Sequence, residues 1–267
     1  MIAQPVLIDT HCHLHMPEFE GILDQILETA SQNGVEKIVI PAIDLASSKR
    51  AILLASSYDN LFAAVGIHPH DAKTWDENSA HFLKELASSP NVVAIGEIGL
   101  DYYRNYTEPE IQRAVFHAQM ELAAELNLPV ILHNRDATKD VLAELEVWQI
   151  PETSSPYPRG VLHSFSADSA AATQVIDWGY LIGISGPITY KKADQLRAVV
   201  KETGLSSIVL ETDAPFLAPH PHRGKRNQPG WIIHIAEMLA SIFHTTIGDT
   251  ASITSRNANT LFDLNHE

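Results

Sequence analysis

Eight short apolar runs recur along the 267 residues at nearly even spacing, and this repetition limits the fold more than any single motif does. They are VLID (6–9), KIVIPAI (37–43), LFAAVGI (61–67), VVAIGEI (92–98), PVILH (129–133), GVLH (160–163), YLIGIS (180–185) and SIVLET (207–212). Near-continuous hydrophobicity without polar alternation suits parallel strands buried on both faces. Between the runs lie segments of helical period, such as FEGILDQILETASQNG, SAHFLKELASS, EIQRAVFHAQMELAAELN, SAAATQVIDWG and KADQLRAVVKETG, several closing on Gly or Asn as helix ends do. With strand ends near His13, Pro41, His68, Glu97, His133, His163, Ser185 and Asp213, the intervals are 28, 27, 29, 36, 30, 22 and 28 residues. An eightfold βα barrel of about 250 residues averages roughly 31 per unit. The expected fold class is therefore α/β, a TIM (β/α)8-type barrel in a single domain over residues 1–267. An open doubly wound sheet would gather its chemistry at a switch point, often behind a Gly-rich phosphate loop. This chain shows neither feature, and its polar residues fall at many strand ends.

Two further helices are expected at the C-terminal end, from WIIHIAEMLASIFH and DTASITSRNANTLFDL, and a Pro-rich loop TSSPYPRG (153–160) precedes strand six. A formal charge of −15 excludes a generally basic nucleic-acid face, so a polyanionic substrate must be drawn to a locally positive site. The single cysteine, Cys12, rules out an intrachain disulfide and reads as a packing residue. The first residues, MIAQPVLIDTHCHLH, carry no basic segment followed by an apolar run, and no run approaches the roughly 18 apolar residues of a membrane helix. The expectation is a soluble, cytoplasmic protein with no membrane association and no obligate protein partner.

The sharpest local motif is DTHCH. Side chains two apart on a strand share a face, so His11 and His13 converge while Cys12 points away. Glu97 in AIGEIGLD, His133 ending PVILH, His163 ending GVLH and Asp213 after IVLET stand where other apolar strands stop. In a barrel these ends share one rim, the face where active sites lie. Four imidazoles and two carboxylates exceed the four ligands of a structural zinc and suit two divalent cations, Mg, Mn, Zn, Ni or Co. The expected metal set is therefore His11, His13, Glu97, His133, His163 and Asp213, with Glu97 bridging because its strand lies between the others. Such a centre acidifies water enough to offer a nucleophile at neutral pH. Asp213 is the expected proton acceptor, and Glu97, Asp213 and His68 are the expected catalytic group.

Other residues are placed to handle substrate. HPHRGKRNQP (220–229) carries Arg223, Lys225 and Arg226, the densest basic cluster in the chain, after the eighth strand. Loops there often bind phosphate in barrels, the alternative being a solvated charged loop. Arg135, two residues beyond His133, adds a phosphate-sized donor. His68 in GIHPH either hydrogen-bonds substrate or supports a ligand. Tyr102 and Tyr103 either stack a base or line the rim.

Taken in order, DTHCHLH, GIHPH, GEIGLDYYR, LPVILHNRDA, GVLHSFSAD, SGPITYKKA, LETDAPFLAP, PHRGKRNQP and NANTLF cover nearly the whole chain, which through them resembles the TatD-related metal-dependent deoxyribonucleases of the amidohydrolase-like barrels. The resemblance implies a two-metal centre hydrolysing phosphodiester bonds of DNA, of 3′-5′ exonuclease type, and assigns metal to the same six residues. It departs at His15, where the family usually carries an acidic residue. Two rival readings use the same rim: a metal hydrolase of a carbonyl substrate such as an ester, lactone or aminoacyl ester, and a non-catalytic binding barrel.

Overall fold

A computed structural model describes residues 5–148 and 159–264. The eight expected strands form, in order, β1 (Leu7–Asp9), β2 (Val35–Pro41), β3 (Leu61–Val65), β4 (Val92–Asp101), β5 (Val130–Arg135), β6 (Gly160–Leu162), β7 (Tyr180–Ile184) and β8 (Ile208–Leu210). All pair in parallel with their sequence neighbours in one sheet. The seam between β8 and β1 is bridged by backbone hydrogen bonds from Thr10 N–H to Leu210 O at 3.0 Å and from Asp213 N–H to His11 O at 2.8 Å, and by a bridge between Cys12 and Ala214. The sheet thus curls onto itself as a TIM-type barrel.

Around it stand α1 (Leu23–Gln32), α2 (Leu45–Ser57), α3 (Ser79–Ala87), α4 (Pro109–Leu126), α5 (Thr138–Val147), α6 (Ser169–Asp177), α7 (Asp194–Thr203), α8 (Ile232–Phe243) and α9 (Ile247–Phe262). The last two are the closing helices expected from the sequence. Three of the helices begin where a short polar side chain replaces a backbone partner: Asp44 accepts from Ser47 N–H at 2.6 Å to start α2, Asp168 from Ala171 N–H at 2.9 Å to start α6, and Thr246 from Asp249 N–H at 3.0 Å to start α9. The Pro-rich loop expected at 153–160 lies almost entirely outside the described residues.

Two apolar layers result. The larger packs strands against helices. The smaller takes buried residues from every strand, among them Ile8, Val39, Ala64, Ile131, Val161 and Val209, and adds Leu261 and Phe262 of α9. Ser255 of α9 bonds to Val6 O and Asn257 to Ile208 O, so this helix caps the end at which strands begin. The opposite end is left for polar groups. Strand side chains repeat every second residue, so His133 stands above Ile131, His163 above Val161, and Glu211 and then Asp213 above Val209. His133, His163 and Glu211 thus rest on the apolar ring beneath them.

Candidate metal centre

Glu97 occupies the middle of the rim. It is buried, and its two oxygens face different groups. Oε2 lies 3.4 Å from His11 Nε2 and 3.8 Å from His13 Nε2. Oε1 lies 2.7 Å from His133 Nδ1, 3.5 Å from His163 Nε2 and 3.6 Å from His68 Nε2. The local backbone permits this central position. The β4–β5 register slips between Ile95 and Ile98, a bulge that re-aims the side chains between them. Gly99, at φ +134°, lies so close to β5 that a Cβ there would sit 2.1 Å from His133 O.

The first group straddles the seam. β1 stops at Asp9 and the chain bends at Thr10, after which the bridge of Cys12 with Ala214 restores strand register: His11 and His13 face the centre while Cys12 is buried in the core. Asp213, at φ +55°, bends the chain after β8, a conformation Asp tolerates better than most residues. Its Oδ1 reaches 3.4 Å from His13 Nε2 and 3.8 Å from His11 Nε2, and those two nitrogens are 3.2 Å apart. His13 Nδ1 faces Pro41 O at 3.2 Å, so it carries the ring proton and leaves Nε2 as a lone pair aimed inward. Donors about 2.1 Å from a shared tetrahedral ion are separated by about 3.4 Å. The spacing of 3.2 to 3.8 Å is therefore compatible with ligands gathered around a cation. Three groups have the spacing to hold a metal: His11, His13 and Asp213; His68, Glu97 and His133; and His11, His163 and Glu211.

The second group is wired differently. His133 Nε2 lies 3.0 Å from Asp101 Oδ2, which also takes His70 Nε2 at 2.9 Å. His163 Nδ1 faces Glu211 Oε1 at 3.1 Å, which directs its Nε2 toward Glu97. Glu211 is fully buried, and Gly183 makes room for it, since a Cβ there would lie 2.2 Å from Glu211 Oε2. That Oε2 and His11 Nδ1 have no hydrogen-bond partner among the described residues. His68 is set apart by its tautomer: Nδ1 accepts the His70 N–H at 3.1 Å, so the neutral ring carries its proton on Nε2. In that form Nε2 donates and does not ligate.

Charge follows the same division. Burial alone would raise the Glu97 carboxyl, but His68, His163 and His11 hold it well below the usual range. Burial likewise opposes ionisation of Asp213, and His13, His163 and His11 again win. His68 is pushed down to about 4 chiefly by burial, so it is neutral at pH 7. His163 resists burial because Glu211 and Glu97 push it up to about 10. Asp9 is driven up to about 8 by burial despite three donors, the Thr212 hydroxyl and the backbones of Thr212 and His11.

All six residues expected from strand ends meet at this rim, with His68 beside them. Sequence reasoning missed Glu211 and Asp101, the carboxylates that orient His163 and His133. The same two-residue period that marks Val209 and Asp213 marks Glu211, and Asp101 closes the polar end of β4, so a signal for both was present. The substrate group is dispersed. Arg226 donates to Glu18 O at 2.7 Å, Arg223 stacks 4.5 Å over Tyr190, and Lys225 is exposed. Arg135 lies 3.9 Å over Tyr103. His15, in place of the usual acid, is a buried ring edge-on to His13 at 5.6 Å, with neither nitrogen partnered among the described residues. Burial pushes it down to about 3, so it supplies no charge.

No helix among the described residues is long and apolar enough to cross a membrane. A family model described as TatD related DNase matches residues 8–263. A Bacillus subtilis protein named uncharacterized metal-dependent hydrolase YabD is 39% identical over 260 residues, covering 97% of this chain and 100% of that one. The 3′-5′ ssDNA/RNA exonuclease TatD of Edwardsiella piscicida is 37% identical over 264 residues, 97% of this chain and 100% of its own. Among solved structures, the TatD homolog YJJV from Escherichia coli K12 superposes with a TM-score of 0.89 at 34% identity, covering 96% of this chain and 98% of that one.

Proposed function

Because this chain belongs to the TatD related DNase family and is a metal-dependent hydrolase, we propose that it hydrolyses phosphodiester bonds of DNA, removing nucleotides from the 3′ end. The observation that carries this reading is the division of Glu97: one oxygen faces the His11, His13 and Asp213 group, the other faces His133 and His163. Such a division would suit two divalent cations, which these six residues would hold. Bound there, the cations would neutralise phosphoryl charge and acidify water.

The chain's own residues supply the rest. Asp213, ionised at neutral pH and 9% exposed at the mouth, accepts the proton of the attacking water. His68 presents its Nε2–H to a phosphoryl or leaving oxygen, since its Nδ1 is already occupied by the His70 N–H. Glu211 and Asp101 keep His163 and His133 in the orientation the site needs. The side chains of Arg135 and Arg223 make no hydrogen bond or ion pair among the described residues, so their guanidinium donors are free for flanking phosphates. The charge of −15 elsewhere confines this affinity to the rim.

The test is cleavage of single-stranded, double-stranded and 3′-blocked oligonucleotides with Mg, Mn, Zn, Ni or Co, against a neutral aryl ester as control. Shortening from an open 3′ end and loss of activity on the blocked strand are expected. Ester hydrolysis without any nucleic-acid cleavage would transfer the reading to a carbonyl substrate.

A further inference from the structure

Of four exposed aromatic side chains among the described residues, Tyr103, Tyr106 and Phe216 stand beside the mouth of the barrel, and the fourth, Phe82, lies on α3. Tyr106 is 58% exposed, yet its ring is fixed nearly perpendicular to His70 at 4.9 Å, and His70 bonds to Asp101. Phe216, 48% exposed, is held in the same way against His13 at 6.0 Å. Tyr103 has the Arg135 guanidinium 3.9 Å over its ring. Tyr102 is excluded from this set, because its hydroxyl is tied to Asp140 at 2.7 Å and to Arg113 at 3.2 Å, on the helical side of the rim.

Their placement follows from topology. Tyr103 and Tyr106 follow β4 and Phe216 follows β8, and in a ring of eight strands in sequence order these positions are diametrically opposed. The metal-binding rim lies between them. Aromatic rings on both sides, with the cations Arg135 and Arg223 nearby, match a chain whose units alternate flat π-surfaces with phosphates. In a duplex the base faces are stacked on one another and closed to such rings. An unpaired strand leaves them open.

We propose that Tyr106 and Phe216 are specificity-determining residues of this site, each stacking one base on either side of the bond to be cut, with Tyr103 and Arg135 extending the Tyr106 side. This rests on the phosphodiester reading above. Neither ring touches the reacting atoms, so the effect belongs to binding.

The experiment measures steady-state cleavage by the metal-loaded protein and by the Tyr106→Leu, Phe216→Leu, double and Tyr106→Trp variants. Substrates are a single-stranded oligonucleotide, its duplex, and an abasic oligonucleotide of the same length. Base stacking at one ring contributes enough that its loss should raise KM about 5- to 150-fold on the single strand. The value of kcat should stay within about 3-fold, the abasic strand should be handled equally by all variants, and Tyr106→Trp should retain the original KM. Unchanged KM on the single strand, or an equal rise on the abasic strand, would overturn the stacking role while leaving the nuclease reading intact. A metal-loaded wild-type protein that cuts none of the three substrates removes both.

Discussion

The two halves of the centre meet at Glu97 but are built on opposite principles. The seam half, His11, His13 and Asp213, gathers two ring nitrogens and a carboxylate oxygen within 3.2 to 3.8 Å of one another, and His11 Nδ1 has no partner among the described residues. The far half, His133 and His163, is wired to Asp101 and Glu211, so its polar atoms are largely satisfied without an added ion. Unpaired buried polar atoms are costly. The seam half is therefore an arrangement that a cation completes, whereas the far half is one in which a cation must displace protons. The comparison also separates their sources: the seam half depends on barrel closure, the far half on Asp101 at the end of β4 beside β5 and on Glu211 reaching past Gly183 of β7 from the end of β8 to His163.

The most severe break is Glu97→Ala, which serves both halves. Bound metal should fall in both and turnover should drop more than about 1000-fold, with the circular dichroism spectrum retained. Elemental analysis alongside activity checks this, and an active, metal-replete variant would remove Glu97 from the centre.

Asp213→Asn strikes only the seam half. It should lose roughly half of the bound metal and slow turnover about 100- to 1000-fold. Metal content at saturation distinguishes this from general collapse, because loss of all metal would show that the halves do not load separately.

Asp101→Asn addresses the far half through His133. Loss of such an orienting carboxylate typically lowers metal affinity or activity about 10- to 100-fold. A metal titration should show one weakened class of site and one unchanged class, whereas uniform weakening would contradict the division.

The smallest effect is one of pH. In the metal-free protein His163 is held at about 10, above its ordinary 6.5. A ring whose pKa is raised on folding adds stability in full below about 6.5 and loses it as pH climbs through about 10. Glu211→Gln removes the carboxylate that contributes most to holding it. The melting temperature of the metal-free wild type, taken relative to this variant, should therefore decline by a few degrees between pH 7 and 10. A difference constant over that range would show that His163 is not protonated between its carboxylates.

Much of this was readable before any coordinates. Eight apolar runs with helical intervals sufficed for the barrel, because strands buried on both faces must be continuously apolar and parallel strands need a crossover between them. The six rim residues were readable because each stood where such a run stopped. Glu211 and Asp101 were not singled out, since a carboxylate beside a strand end looks alike whether it faces an ion, a histidine ring or solvent. The 220s cluster reads as a single basic patch along the chain. In space its arginines diverge, Arg226 toward Glu18 and Arg223 toward Tyr190, because a loop bends more sharply than sequence spacing reveals.

By itself, the order of residues determined the barrel and the identity of the six groups at its rim, since hydrophobic period and the polar ends of strands are local properties. Only the tertiary structure decided which oxygen of Glu97 faces which histidines, which ring nitrogen of His68 carries the proton, and which aromatic rings flank the mouth. Those depend on distances between residues far apart in the chain, and only the closed cylinder sets such distances.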